Sequence, residues 1–343
     1  MNLIMESKKN ILWINLLKGI CMISVYLLHA EVYTGMAWVK SYGFVLQPFY
    51  VNAFFFVSGY LLFRKWLYVN NQLVMDRGGY LESLNNLFFR LILPTIIFAS
   101  ILYIPKILFH KGDVSVGKYF YDVWGGISFW FTSALLVSQF VLLTLFLSKN
   151  RNIWFYLLIS VGLFVFAYWL SRVDITPFPW YYKSGLAAIL FLTLGGIYYK
   201  YESVIDKFIG LCGYIIIFVI YWLAMIWDFN SHSMRFGLLS VDINLLGFVV
   251  VLLGIVMLVG VCKTLDSIKM INYIGENSIV FYFLSGVVPA TISTIFKCFV
   301  AINYIYVLLI ALLSIMVSCG LCFLINRYFK FLLDLRFLKI KNA

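Results

Sequence analysis

The amino-acid sequence predicts an all-α protein, a polytopic bundle of about ten transmembrane helices, and three properties of its composition lead to that prediction. Hydrophobic residues make up 64% of the 343 residues, charged residues make up 12%, and the mean hydropathy is +0.97. Soluble domains average about 25% charged residues and about half apolar residues. Because a soluble fold has too little interior to bury so much apolar surface, we expect the chain to lie in a lipid bilayer.

Ten stretches are long and apolar enough to cross a bilayer, which takes about 20 apolar residues in a helix. The first stretch follows two lysines, as a signal peptide would, but its apolar part is too long and has no small-residue cleavage site, so we expect a retained span. The sequence shows no repeat, linker or second domain, and one domain over residues 1–343 is expected. The predicted spans are 11–34, 44–63, 88–108, 127–147, 152–171, 184–200, 208–228, 240–262, 277–297 and 299–326.

The distribution of Lys and Arg predicts the orientation of these spans. With the N-terminus in the cytoplasm, 17 basic residues fall in cytoplasmic segments and 8 in outer segments, while Lys18 lies inside the first span. Cytoplasmic loops are enriched in Lys and Arg, and an even number of spans returns the chain to its starting side. We therefore predict that both termini are cytoplasmic. This topology accounts for the net charge of +12, so no nucleic-acid partner is expected.

Two of the rare ionisable residues within the spans lie in the first one. Lys18 and His29 are separated by about 1100° around a helix, or 20° beyond three turns, and by about 16 Å along its axis. They therefore share one face. An ionisable side chain at mid-membrane costs about 2.5–3.5 kcal/mol and usually faces a cavity or a partner. We favour a functional pair over the alternative, in which Lys18 snorkels to the inner surface and His29 makes one structural hydrogen bond.

Several other polar residues lie in or beside the spans. Glu31 is a weak candidate to orient His29, because two residues along a helix point about 200° apart. Ser58 and Gly59 lie in an aromatic run and favour a close helix–helix contact. Arg90 begins the third span and is either a topology anchor or, with two basic residues at the same membrane face, part of a phosphate pocket. Those two residues are Arg64 and Lys65.

The motifs that are absent also restrict the function. Cys319 and Cys322 share a helix face with no His or carboxylate nearby, so we expect packing residues, no metal site and no permanently bound cofactor. The sequence contains no Walker A motif, GxGxxG, HExxH or GxSxG. ATP-driven transport and serine hydrolysis therefore have no support.

Six segments, taken in order along nearly the whole chain, carry a family resemblance. They are NLLKGICMISVYLLH (15–29), FFFVSG (54–59), RLILP (90–94), FWFTSALL (129–136), LAAILFLTLGGIYY (186–199) and IGENSIVFYFLSG (274–286). Together they resemble the acyltransferase-3 family of membrane enzymes, and especially the branch that O-acetylates capsule, O-antigen and related glycans. Three positions depart from the family pattern. Asn15 stands where Asp is common, Lys18 stands where Arg is common, and Ser285 stands where many members have a second histidine.

The resemblance implies a multi-pass O-acyltransferase of the bacterial inner (cytoplasmic) membrane. Its co-substrate would be acetyl-CoA or another short acyl-CoA, and its acceptor a hydroxyl of a surface or lipid-linked glycan. We expect His29 to be the catalytic residue and Lys18, Arg64, Lys65 and Arg90 to bind the acyl donor. The other residues expected to line the site are Asn15, Ser58, Trp130, Tyr282 and Ser285.

The sequence leaves the mechanism and the class of function open between several alternatives. A neutral His29, the form that burial favours, would act as general base on the acceptor hydroxyl, or it would carry the acyl group covalently. A transporter or flippase of an envelope glycan precursor is the first rival, although transporters usually break helices inside spans and most prolines here lie near span ends. An inactive family member is the second rival, because of Ser285.

Overall fold

The computed structural model describes residues 2–35, 42–68, 72–73, 75–109, 115–147, 152–173, 179–231, 236–238, 241–265, 268–296 and 304–334. These residues are overwhelmingly α-helical, which confirms the predicted class. The helices are α1 Asn2–Thr34, α2 Tyr42–Trp66, α3 Arg77–Leu87, α4 Leu93–Phe109, α5 Val116–Tyr119, α6 Trp130–Phe146, α7 Ile153–Val173, α8 Tyr182–Ser231, α9 Leu245–Thr264, α10 Lys269–Glu276, α11 Ser278–Leu284, α12 Val287–Phe296 and α13 Tyr304–Tyr328.

Short irregular elements join the helices. The strands are β1 Leu67–Tyr68, β2 Gln72–Leu73, β3 Phe236–Gly237 and β4 Asp242–Ile243, and β1 pairs antiparallel with β2. Two π-helical turns, Phe88–Ile92 and Phe120–Trp124, follow α3 and α5, and two 3₁₀ turns, Pro179–Tyr181 and Lys330–Leu332, precede α8 and follow α13.

Several of these helices are long and apolar enough to cross a membrane. Within the described residues there are six, or seven if the bent pair α11–α12 counts as one span, and α6 is apolar but shorter. The chain is therefore a multi-pass membrane protein. Ten spans and cytoplasmic termini stay predictions, and the start of the last predicted span (299–303) and the C-terminal residues 335–343 lie outside the described residues.

The predicted spans 184–200 and 208–228 fall in one helix, α8, rather than in two. A straight helix of 50 residues is about 75 Å long, more than twice the roughly 30 Å of a bilayer core. The segment between the two spans contains no proline to end the helix. Gly210, which lies near the start of the second of these spans, has a φ of 58°, a left-handed conformation that glycine adopts without a Cβ clash.

The predicted span 277–297 is bent by 45° between α11 and α12. Ser285 lies at the bend, and its hydroxyl donates a 2.8 Å hydrogen bond to the carbonyl oxygen of Tyr282. Such back-bonding bends helices, and the following Gly286 makes the backbone more permissive still. The bend weakens the argument against a transporter, which was that the spans contain few helix breaks.

The chain folds into two compact units, each assembled from separate stretches of sequence. The first contains residues 1–54, 203–236 and 243–324, and the second contains residues 55–202, 237–242 and 325–343. In the first unit α1 packs against α9, α10, α11 and α12. In the second unit α3 packs against α6, and the turn Lys330–Leu332 packs against α4. The single domain over 1–343 stays a prediction.

Small residues allow a close helix crossing inside the second unit. A Cβ on Gly59 would overlap the backbone of Leu192, and a Cβ on Gly195 would overlap the carbonyl oxygen of Phe56. The crossing joins α2 to α8. The close contact predicted from the Ser-Gly pair of the second span is therefore confirmed.

Candidate active site

The helix α1 holds both ionisable residues singled out in the first span. It runs without interruption through Lys18 and His29, so the two side chains share one helix face and are separated by about 16 Å along the axis. Both side chains are half-buried. The predicted geometry of the pair is thus confirmed, whereas its role stays a prediction.

The imidazole of His29 is fixed by contacts within its own helix. Its Nδ1 lies 3.0 Å from the carbonyl oxygen of Val25. A carbonyl oxygen only accepts hydrogen bonds, so Nδ1 carries a proton, and in the neutral imidazole Nε2 then keeps its lone pair. The ring stacks on Tyr33, with ring centroids 6.1 Å apart and an interplanar angle of 18°. Among the described residues, Nε2 has no hydrogen-bond partner.

The C-terminal end of α1 lies next to the bend between α11 and α12. A Cβ built on Gly286 would lie 3.8 Å from the hydroxyl of Tyr33, the residue that stacks on His29. Gly286 directly follows Ser285, which is buried. This part of the first unit therefore brings His29 close to the segment that contains Ser285 and Tyr282.

A buried tyrosine fixes α1 against two other helices, three residues before His29. The hydroxyl of Tyr26 donates to the carbonyl oxygen of Phe281 at 3.0 Å. It also lies 2.7 Å from the Ser318 hydroxyl oxygen, within hydrogen-bond distance. These bonds connect α1 to α11 and α13. They hold in place the helix turn from which the imidazole projects.

The second ionisable residue, Lys18, lies beside an acidic residue of α10. The ammonium of Lys18 and the carboxylate of Glu276 attract each other electrostatically. The side-chain amide of Asn15 donates to Glu276 Oε1 at 3.2 Å. Asn15 is buried and Glu276 is exposed. Asn15 and Lys18, two of the predicted site residues, therefore meet around a third residue that the sequence pattern did not single out.

Two glycines explain how α1 and α10 approach closely enough for this contact. A Cβ on Gly19 would overlap the carbonyl oxygen of Ile271, and a Cβ on Gly275 would overlap the carbonyl oxygen of Asn15. Gly19 follows Lys18 and Gly275 precedes Glu276 in the chain. The crossing thus places the two charged residues on either side of the same close backbone contact.

The position of Glu31 agrees with the sequence argument. The helix continues to Thr34, so Glu31 projects about 200° away from His29. Its side chain is buried and approaches Tyr50 of α2. Glu31 is therefore not the residue that orients the imidazole, a task performed by the carbonyl of Val25.

Three of the four basic residues predicted to bind the acyl donor, Arg64, Lys65 and Arg90, lie in the second unit, whereas Lys18 lies in the first. Arg90 occupies the π-helical turn Phe88–Ile92, and its Nε lies 3.5 Å from Asp334 Oδ2. Lys65 forms an exposed 2.9 Å ion pair with Glu82. Arg64 lies near Tyr60; in the described part of the chain it has no hydrogen bond or ion pair.

The remaining predicted site residues belong to different surroundings. Ser58 is half-buried in α2, beside the glycine that contacts α8. Trp130 begins α6 and lies 6.5 Å from Tyr181, measured between ring centroids. Tyr282 is half-buried in α11. The structure therefore groups the predicted residues in two sets, Asn15, Lys18, His29, Tyr282 and Ser285 in the first unit and Ser58, Arg64, Lys65, Arg90 and Trp130 in the second.

One signal in the sequence could have identified Glu276 as a residue of the candidate site. It lies within the segment IGENSIVFYFLSG (274–286), and a lysine inside a membrane span needs an acidic partner. The pairing of Asp334 with Arg90 had no such signal, because Asp334 follows the last predicted span.

Comparison with known proteins gives one match. The model of the acyltransferase-3 family, described as an acyltransferase domain, matches residues 11–327. No curated protein and no solved structure matches the chain. The family match spans nearly the whole chain and includes every predicted site residue. The chain therefore belongs to the acyltransferase-3 family and is a membrane acyltransferase.

Proposed function

We propose that this acyltransferase moves an acetyl group from acetyl-CoA to a hydroxyl of a cell-surface or lipid-linked glycan, with His29 as general base. One observation carries the proposal. The Nδ1–H of His29 is held by the carbonyl oxygen of Val25, which leaves the lone pair of Nε2 available to accept a proton. A base must present a free lone pair in a fixed direction, and this imidazole meets both conditions.

The chemistry follows from that tautomer. As the acceptor hydroxyl oxygen attacks the thioester carbonyl, its proton passes to Nε2 of His29. The C–O bond of the new ester forms, the C–S bond breaks, and the leaving thiolate takes the proton back from the imidazolium. The products are the O-acetyl glycan and CoA. A positioned base of this kind typically contributes about 10²–10⁴-fold to the rate.

The acyl donor carries phosphates, and we assign them to basic residues predicted from the sequence to bind it. Arg90 and Arg64 are the leading ligands, because a guanidinium presents a planar fork that matches phosphate. Lys65 is a weaker ligand, since it already pairs with Glu82. That pair is exposed, however, and exposed pairs contribute only about 0–1 kcal/mol, so a phosphate can displace it. Another short acyl-CoA would use the same groups.

We also propose the membrane in which the reaction takes place. Acceptors of this class are assembled on the bacterial envelope, and a multi-pass acyltransferase that uses cytoplasmic acyl-CoA fits the inner (cytoplasmic) membrane. The lipid bilayer and the glycan are the expected partners.

The experiment compares membranes that contain the wild type, His29→Ala or Val32→Ala. Radiolabelled acetyl-CoA is supplied, and label in the glycan and glycolipid fraction is counted. We expect His29→Ala to lose about 10²–10⁴-fold in rate. Val32→Ala is the matched control, since Val32 lies one turn from the site on an exposed face, and should retain full activity. Undiminished transfer by His29→Ala would refute the proposed role of His29.

The covalent alternative predicts a different intermediate. If the acetyl group passes through an acetyl-imidazole, label should accumulate on the protein when acceptor is withheld, and hydroxylamine should release it. A general base gives no labelled protein under the same conditions.

A transporter or flippase of an envelope glycan precursor remains a second candidate because of the 45° bend between α11 and α12. Broken helices near a polar path are typical of transporter sites. Saturable uptake of a lipid-linked saccharide by proteoliposomes, without acetyl transfer by the wild type, would favour this candidate. Absence of both activities would favour an inactive family member.

A further inference from the structure

A short C-terminal segment contacts the leading candidate for donor binding. Asp334 follows the 3₁₀ turn Lys330–Leu332, which packs against α4. Asp334 Oδ2 lies 3.5 Å from Nε of Arg90, in the same unit. The family match ends at residue 327. Asp334 therefore lies outside the matched residues, whereas its partner Arg90 lies inside them.

The geometry of the contact leaves most of the guanidinium open. Arginine has five N–H donors, and the contact with Asp334 faces the one on Nε. The side chain of Arg90 is 70% exposed, whereas that of Asp334 is 9% exposed. In the part of the chain that the structure describes, Asp334 is the only acidic partner of Arg90. The two Nη groups, which form the fork that binds phosphate, thus remain available.

The two partners differ in how firmly they are held. A buried carboxylate is costly unless it is paired, and the turn that packs on α4 keeps Asp334 in a fixed place. Arg90 lies in a π-helical turn, a local irregularity that is frequent at functional sites. A long arginine side chain would otherwise sample many rotamers, and restricting it before the ligand arrives improves affinity.

We propose that Asp334 is a positioning residue for the acyl donor. It holds Nε of Arg90 so that the Nη fork faces the phosphate groups of the CoA moiety. This inference rests on the proposed function, in which Arg90 binds those phosphates. Asp334 itself does not touch the donor.

The test measures acetyl transfer as a function of acetyl-CoA concentration for Asp334→Asn and Asp334→Ala. We expect the KM for acetyl-CoA to rise about tenfold, the loss of one charge-assisted contact, with kcat unchanged. Asp334→Glu should recover most of the affinity. Tyr328→Ala is the control, because its ring is exposed in the same segment, and its KM should equal that of the wild type.

A double variant shows whether Asp334 acts through Arg90. Arg90→Ala should raise KM more than either Asp334 variant, and adding Asp334→Asn to it should cause no further rise. Additive losses would mean that Asp334 acts independently of Arg90 and would overturn the proposal.

Other outcomes also overturn it. A lower KM in Asp334→Ala would mean that the carboxylate competes with phosphate for Arg90 and so inhibits the enzyme. An unchanged KM would remove any role in donor binding. If Asp334→Asn and Asp334→Ala both lose the folded protein in detergent while Asp334→Glu does not, the role is structural. A wild type that neither binds CoA nor transfers acetyl would instead defeat the proposed function, which separates the two failures.

Discussion

The side-chain amide of Asn15 donates a hydrogen bond to Oε1 of Glu276, 3.2 Å away across 261 residues of sequence. This bond fixes a carboxylate beside Lys18, which would otherwise be a cation inside a membrane helix without a described counter-charge. The contact is made possible by the close backbone crossing at Gly19 and Gly275. Charge and packing in the first unit therefore depend on the same pair of helices, α1 and α10.

Replacing the carboxylate tests the charge pairing. Glu276→Gln keeps the shape and an oxygen that Asn15 can reach, but it removes the charge that faces Lys18. Because Glu276 is exposed, we expect the free energy of unfolding to fall by only about 1 kcal/mol, measured by denaturation in detergent. The swap Lys18→Glu with Glu276→Lys should be more stable than the two single variants predict together. Strict additivity of the single effects would show that the two charges do not interact.

Adding a methyl group tests the close crossing. In Gly275→Ala the new Cβ would overlap the carbonyl oxygen of Asn15, and forcing the helices apart should cost about 1–3 kcal/mol. Gly320→Ala is a matched control in the same unit, since a Cβ on Gly320 meets no atom of the described residues within 4 Å. Thermal unfolding in detergent should show a clear loss for the first variant and none for the second. Equal stability of the two variants would argue against the crossing.

Removing the hydroxyl of Tyr26 tests whether its hydrogen bonds anchor the helix turn before His29. Tyr26→Phe removes the bonds to Phe281 and Ser318 and should cost about 0.6–2 kcal/mol of stability, the range for hydrogen bonds between membrane helices. Activity should fall as well, because the imidazole loses part of its support. Ser24→Ala is the comparison, since among the described residues the Ser24 hydroxyl bonds only within α1, and it should leave both stability and activity near the wild-type values.

The parts of this fold that depend on local sequence could be predicted. Composition and the length of apolar runs identify a helical membrane protein, because every backbone polar group in lipid must be bonded within the element itself. The shared face of Lys18 and His29 follows from helix periodicity alone. The crossing at Gly59 follows from the need of close helices for small residues.

The parts of the fold and of the candidate site that depend on distant contacts could not be predicted from the sequence. Glu276 and Asp334 gain their significance from partners more than 200 positions away, and no local pattern reports such pairing. The bend at Ser285 depends on a side-chain bond to Tyr282 that competes with the regular helix. The tautomer of His29 depends on which ring nitrogen faces the carbonyl of Val25, and helix periodicity does not determine the rotation of the ring.

The central claim is that His29 acts through the lone pair of Nε2, and His29→Asn tests it most directly. The asparagine amide can still donate to the carbonyl oxygen of Val25, as Nδ1 does now. It has no atom at the position of Nε2, however, that could take the proton from the glycan hydroxyl. The measurement is the initial rate of acetyl transfer from acetyl-CoA to glycan, with thermal stability recorded on the same preparation. We predict unchanged stability and a rate lower by about 10²–10⁴-fold. Transfer by His29→Asn at the wild-type rate would contradict the account.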